Sequence, residues 1–201
     1  MDSQLAAVIV HDIKNALGIL ENELLVMAEN PSRERAFAAH GNCAALRDKL
    51  IGFLTLYKSD TQGLAPRIEA VNPEDFLDGL VRQRAPARPE LKIVIDKTDM
   101  PVIGFFDENL VGLALEAALQ NATRFARGTV TLCCRQQEGE LVFSVGDDGP
   151  GLGAAEAKPS TGLGMALCDA IARAHRKGDR AGRAWLRNGA RGGALFSLYL
   201  P

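Results

Sequence analysis

Val145-Gly146-Asp147-Asp148-Gly149-Pro150-Gly151-Leu152-Gly153 follows a segment, Glu140 to Gly146, in which apolar and polar residues alternate. The pattern predicts a strand that runs directly into a glycine-rich turn. Glycines allow backbone conformations and close ligand approach that a Cβ forbids. Asp147, at the end of the strand, offers a carboxylate that can accept a hydrogen bond from an exocyclic amine, which suits adenine. A second glycine cluster, Ser160-Thr161-Gly162-Leu163-Gly164-Met165, opens a helix expected from about Gly164 to His175. Free amides and the helix dipole at such a start can hold phosphates. The spacing is not that of a Walker A loop, because Gly153 to Lys158 lacks the second glycine. Alone, either cluster reads equally well as a tight surface loop.

Upstream, Glu116-Ala117-Ala118-Leu119-Gln120-Asn121-Ala122-Thr123-Arg124-Phe125 lies in a helix expected over Asn109 to Phe125. An asparagine facing inward from an otherwise apolar helix needs polar partners, and hydrated magnesium with phosphate oxygens is one such partner. A neighbouring backbone group is the plainer alternative. Around this helix the pattern predicts a helix over residues 73–84, strands at Leu91 to Asp96, Val102 to Phe106, Gly128 to Gln136 and Glu140 to Gly146, and a last pair near Ala184 to Arg187 and Ala194 to Leu200. Such a mixture implies an α+β layer sandwich.

The N-terminal part has a different texture. Leu5, Ile9, Ile13, Ala16, Leu20, Leu24 and Met27 recur at steps of three and four, predicting a helix over residues 2–29. Asn30-Pro31 stops it, and Ser32 is placed to cap a second helix reaching about Lys58, with the stripe Ala39, Cys43, Leu46, Leu50, Phe53 and Tyr57. An antiparallel hairpin alone buries only part of each stripe, so pairing of two chains into a four-helix bundle, a homodimer, is the economical expectation. His11-Asp12-Ile13-Lys14-Asn15 sits on the first helix, with His11 almost opposite the stripe and facing water. A neutral, exposed imidazole is a competent nucleophile, and Asp12 can orient it and take its proton. A lone His-Asp pair is more often an ordinary surface feature. The expected boundaries are 1–60 for the hairpin, 61–69 for a linker carrying Gly63 and Pro66, and 70–201 for the sandwich.

Composition narrows the partners. The 201 residues include 23 Lys plus Arg against 25 Asp plus Glu, a net charge of -2, so no global field draws the chain to nucleic acid or anionic lipid. No apolar run approaches the roughly 18 residues of a membrane span, and no signal peptide opens the chain. A cytoplasmic protein without membrane insertion is expected. Cys43, Cys133, Cys134 and Cys168 lack zinc-site spacing and read as small buried apolar residues.

In their order and spacing, these patterns resemble the sensor histidine kinases of two-component systems, in which a dimerisation and phosphotransfer hairpin precedes a GHKL-type ATP-binding domain. HDIKN resembles the H-box, LQNATRF the N-box, DDGPGLG the G1 box and STGLGMAL the G2 box, and Gly189 to Phe196 is similar to the family's closing segment. The resemblance spans nearly the whole chain. It implies that His11 is phosphorylated from ATP with Asp12 as base, and that Asn15 positions water when a response regulator receiver domain is dephosphorylated. It further implies that Asn121 ligates Mg2+, Arg124 contacts phosphate and Phe125 walls the nucleotide. Asp147 would bond the adenine amine, Gly149 and Gly151 would shape the pocket, and Thr161, Gly162, Leu163 and Gly164 would approach the phosphates, with Lys158 within reach of them. Three departures stand out. Ala16 replaces a proline common after the H-box asparagine, Ala117 replaces a second polar N-box residue, and residues 153–160 leave only a short ATP lid. The last two favour an alternative, an ATP-independent phosphotransferase with a degenerate ATP-binding domain. A non-catalytic interaction module would leave the boxes without a joint explanation. Because hairpin and sandwich use up the chain, input is expected through a separate polypeptide or the dimer surfaces.

Overall fold

The computed structural model describes residues 3–83, 90–153, 162–190 and 192–201. The chain divides into two compact units, Met1–Gln62 and Gly63–Pro201.

The first unit is a helical hairpin of α1 (Ser3–Glu29) and α2 (Arg33–Gln62). Ser32 caps α2, its Oγ accepting from the Arg35 N–H at 3.2 Å. Asn42 Nδ2 donates to both carboxylate oxygens of Glu23 at 2.7 Å, tying the two helices side by side. Ile9 and Leu20 of α1 and Ala39, Gly52 and Leu56 of α2 are buried. The expected α2 stripe is only partly realised: Leu50 and Tyr57 stay 44% and 53% exposed and Cys43 is exposed, while Gly52 and Leu56 turn inward. The reason lies in α2 itself. Its second half is apolar on several sides (Leu50, Ile51, Phe53, Leu54, Leu56, Tyr57), so periodicity alone does not select the side that meets α1.

The second unit contains a five-stranded sheet in the order β2 (Lys92–Asp96), β4 (Thr129–Gln137), β5 (Glu140–Asp147), β9 (Ala194–Leu200), β8 (Arg183–Asn188). Strands β2 and β4 run parallel and the other pairs antiparallel. Glu138 and Gly139 both take positive φ, 50° and 81°, as a two-residue type I′ hairpin between β4 and β5 requires. Helices α3 (Pro73–Gln83), α4 (Glu108–Phe125) and α5 (Leu163–Ala174) accompany the sheet. The register Leu132, Val145, Phe196 defines the helix-covered face, and the register Cys133, Ser144, Ser197, Trp185 the opposite one. Two short ribbons complete the unit: β1 (Glu69–Val71) with β3 (Gly104–Phe106), and β6 (Arg176–Lys177) with β7 (Arg180–Ala181). Strand β1 begins at the last residue of the expected linker, and β6 and β7 have no signal in the pattern, since pairs this short form only through tertiary neighbours.

The core is centred on three rings. Phe76, Phe106 and Phe143 bring α3, β3 and β5 together with centroids 5.1–5.8 Å apart in tilted and edge-on arrangements. Helix α4 lays Val111, Ala114, Leu115, Ala118, Leu119 and Ala122 against this core at helical spacing. Cys134 and Cys168 are buried with thiols pushed by burial up to about 12, whereas Cys133 is half-buried and Cys43 exposed. The expectation of four buried cysteines therefore holds for two, because Cys133 faces the open side of the sheet and Cys43 the outside of α2.

Candidate functional site

The helix of the first unit presents His11 with a side chain 70% exposed. Asn15, one turn on, places Nδ2 at 3.2 Å from His11 Nδ1. An amide nitrogen can only donate, so this contact puts the ring proton on Nε2. Asp12 Oδ1 lies 3.9 Å from the same Nδ1, an electrostatic distance beyond hydrogen bonding. Asn15 and Asp12 thus compete for one ring nitrogen, and Asn15 holds it. Lys14, Asn15, Gly18, Ile19, Asn22 and Glu23 line a shallow groove along α1 beside His11.

In the second unit, the strand-to-turn segment after β5 is held by its own carboxylates. Asp147 Oδ1 accepts from the Gly149 N–H at 2.8 Å and the Ala194 N–H at 3.3 Å, joining the turn to the start of β9. Asp148 points the other way. Its carboxylate accepts from the N–H groups of Arg127, Gly128 and Thr129 at 2.8–3.2 Å, which fastens the turn to the α4–β4 connection. These backbone donors, that of Gly128 foremost, hold its carboxyl below the usual carboxylate range.

Glycine is obligatory at two positions here. A Cβ on Gly149 would lie 2.4 Å from the Phe125 carbonyl oxygen, so the turn packs directly on the end of α4. At Gly193, with φ 71°, a Cβ would lie 1.8 Å from the Asp147 carbonyl oxygen. Asn188 Oδ1 accepts from the Leu152 N–H at 2.6 Å and would also obstruct a Cβ on Gly151. Asp148, Asn188 and Gly193 were not among the expected site residues. The doubled Asp147-Asp148 carried the only signal, since adjacent residues at a strand end point to opposite sides.

Gly162, at φ 73°, starts α5 without a side-chain cap. A Cβ on Gly164 would meet Asn121 Nδ2 at 3.6 Å and the Ala117 Cβ at 4.0 Å, which places both α4 residues beside the start of α5. Asn121 is exposed, not inward-facing as the helical pattern suggested. The buried positions of α4 are taken by the alanine, leucine and valine stripe, and position 121 falls at its border. The Arg124 guanidinium lies 4.9 Å above the Phe125 ring. Asp147, Gly149, Gly151, Asn121, Arg124, Phe125, Gly162, Leu163 and Gly164 are therefore gathered around three junctions of one unit: the end of β5, the end of α4 and the start of α5. Lys158 and Thr161, with the remainder of the expected lid, lie outside the described residues.

Comparison with known proteins matches residues 106–201 to the family described as histidine kinase-, DNA gyrase B-, and HSP90-like ATPase. The match covers just under half of the chain. The adaptive-response sensory kinase SasA of Trichormus variabilis is 31% identical over 121 residues, covering 51% of this chain and 29% of its own length. The chain therefore spans less than a third of that relative. Among solved structures, the Acinetobacter baumannii histidine kinase AdeS superposes with a TM-score of 0.73 at 19% identity over 94% of this chain and 96% of that one. Histidine kinase ThkA, solved in complex with response regulator protein TrrA, superposes with a TM-score of 0.68 at 14% identity over 99% of this chain and 61% of that one. The chain is thus similar in sequence to a sensory kinase over part of its length and shares the fold of histidine kinases over nearly all of it, as an α+β protein of helical hairpin and GHKL-type sandwich. Among the described residues, no helix is long and apolar enough to cross a membrane.

A buried histidine secures the second unit behind the site. His175 Nε2 lies 3.1 Å from the Asp107 N–H and must accept from it, so the proton resides on Nδ1 and is donated to the Ile171 carbonyl at 2.8 Å. Asp107 caps α4 through the Leu110 N–H and also accepts from the Arg67 N–H at 2.7 Å. Burial holds the imidazole below its ordinary 6.5, although Asp107 nearby acts in the opposite sense. A group depressed on folding binds its proton more readily when unfolded. The resulting stability is complete above about pH 6.5 and is lost as pH falls toward the folded value. Denaturation midpoints should accordingly fall between pH 7.5 and 5.5, and less steeply in His175→Asn; equal slopes in the two proteins would remove His175 as the cause.

Proposed function

We propose that the chain is an ATP-dependent protein histidine kinase that phosphorylates His11 and passes the phosphoryl group to an aspartate of a response regulator receiver domain. The observation that carries this reading is the gathering of the Asp147 turn, the Asn121–Phe125 end of α4 and the Gly162–Gly164 start of α5 at one edge of a unit whose residues 106–201 match an ATPase family model. In this reading, Asp147 Oδ1 is engaged by main-chain donors while its carboxylate accepts the adenine amine. Gly149 and Gly151 keep the floor of the pocket flat, and the amides at the start of α5 receive phosphate oxygens. Arg124 supplies positive charge, which phosphoryl transfer needs more than covalent help from the protein. Asn121 is exposed beside these amides and would be the protein's contribution to holding Mg2+. When bound there, magnesium would supply charge neutralisation on the phosphates.

At His11, attack on the γ-phosphorus by Nε2 forms the N–P bond as the bond to the ADP oxygen breaks. That requires the ring proton to move from Nε2 to Nδ1 and then to Asp12, which stands 3.9 Å away. Asn15 must release Nδ1 first. Held there instead, it leaves Nε2–H unreactive and is placed to act on water during dephosphorylation of the regulator. The groove of Lys14 to Glu23 is the face we assign to the receiver domain, a reading supported by the fold shared with a kinase solved with its regulator. We assign homodimerisation to the apolar residues that the hairpin leaves exposed, among them Leu17, Leu24, Leu54 and Tyr57.

A second reading, ATP-independent phosphotransfer, is favoured by Ala117, which offers no polar group at its place beside Gly164 and Asn121. Isothermal titration of the full chain with a non-hydrolysable ATP analogue separates the two. Kinase function predicts saturable binding that strengthens with magnesium. Absence of binding, together with uptake of phosphate from a phosphorylated receiver, would leave the phosphotransferase.

A further inference from the structure

Residues 176–188 carry Arg176, Lys177, Arg180, Arg183 and Arg187 against a single acid, Asp179, a net +4 in a chain of net -2, so the remainder carries -6. Arg183 is satisfied: it donates to both oxygens of Glu140 at 2.6 and 2.8 Å and lies 4.2 Å over the Tyr199 ring. Arg176, Lys177, Arg180 and Arg187 have no ion pair among the described residues. Strand β8 ends the sheet order, and among the described residues nothing pairs with its outer edge. Alternation puts Arg183, Trp185 and Arg187 on the face away from the helices, in register with Tyr199, Ser197 and Leu195. Trp185 is 59% exposed, and Leu186 on the other face is 38% exposed.

Arginines on an edge strand are a common guard against unwanted pairing. That role would explain Arg183 and Arg187. It does not explain a tryptophan set between them, since an exposed aromatic on a free edge invites the contact the guard prevents, nor the further cations on the β6–β7 ribbon. Tryptophan and arginine are instead the residues enriched where proteins bind.

We propose that the β8 edge, with the β6–β7 ribbon at its start, is a docking site for an extended, carboxylate-rich segment of another polypeptide, which adds to the sheet as a sixth strand. Its main chain pairs with the open edge, its carboxylates meet Arg187 and the ribbon cations, and an apolar side chain covers Trp185. A polypeptide is favoured over nucleic acid because only another main chain satisfies a strand edge, and because the rest of the chain repels a long polyanion.

Trp185 is the only tryptophan of the chain, so its emission reports on this site alone. The full chain is titrated with a peptide of about ten residues built on a Glu-Thr-Val-Thr repeat, which puts glutamate and valine by turns on one face of an added strand, with lysine replacing glutamate in the control. The expected result is a saturable blue shift with the acidic peptide only, slowed amide exchange over residues 183–188, and binding weakened about tenfold by Arg180→Glu/Arg187→Glu. Lys177→Glu, on the exposed ribbon outside the main sheet, is the second variant should the first disturb folding. Any of three outcomes overturns the proposal: no shift and no protection, binding indifferent to both charge reversals, or oligouridine binding as tightly as the peptide with no protection at 183–188.

Discussion

Replacing His11 with alanine should abolish incorporation of label from γ-labelled ATP, and the wild-type label should be stable in base and lost in acid, as a phosphorylated imidazole is. The effect is expected to be complete because neither other histidine can substitute. His175 has both ring nitrogens engaged in a buried pair of hydrogen bonds. His40 lies exposed on α2 with no acid beside it in sequence. Asn15→Ala provides the internal contrast. Freed from the Asn15 amide, Nδ1 becomes available to Asp12, so the label should be kept or increased while loss of phosphate from the regulator slows. Label persisting in His11→Ala would move the phosphoacceptor elsewhere and dismantle the assignment of α1.

Asp147→Asn should weaken nucleotide binding on the order of 10-fold to 100-fold while leaving the thermal midpoint nearly unchanged. The asparagine carbonyl can still accept from Gly149 and Ala194, so the turn keeps its shape. What changes is the second atom, which becomes an NH2 group facing the adenine amine. Loss of a charge-assisted hydrogen bond, roughly 1.5–3 kcal/mol, gives the stated range at 1.4 kcal/mol per tenfold. Titration calorimetry beside a melting curve measures both quantities. Unchanged affinity would remove the adenine role from Asp147, and a collapsed midpoint would show that its work is structural.

Parts of the molecule were legible before any coordinates. Helices α1, α4 and α5 and the β4–β5 pair follow from periodicity and punctuation, because each buries one face against one neighbour and the pattern records that face. The glycine clusters and the His11 helix were legible for a related reason: close approach and exposure limit which residues can stand there. Asp148 and Asn188 were not, since each acts on amides 19–36 residues away in sequence. The Asp107–His175 link spans 68 residues and is equally invisible along the chain. Asn121 shows how a local pattern misleads. It sits at the margin of an apolar helix face, and only the arrival of α5 determines that it borders Gly164 and not the core.

By itself, the sequence determined the two-part α+β organisation and the residue types that could do the chemistry, because helical and strand periods and the steric freedom of glycine are local properties. Tertiary structure alone decided that Asp147 ties the turn to β9 while Asp148 ties it to the α4–β4 connection, that Asn15 and not Asp12 holds the His11 ring nitrogen, and that Trp185 lies exposed on an open edge strand. Each depends on the direction of a side chain relative to a partner distant in sequence or one turn along a helix, and that direction is set only when the backbone has closed around it.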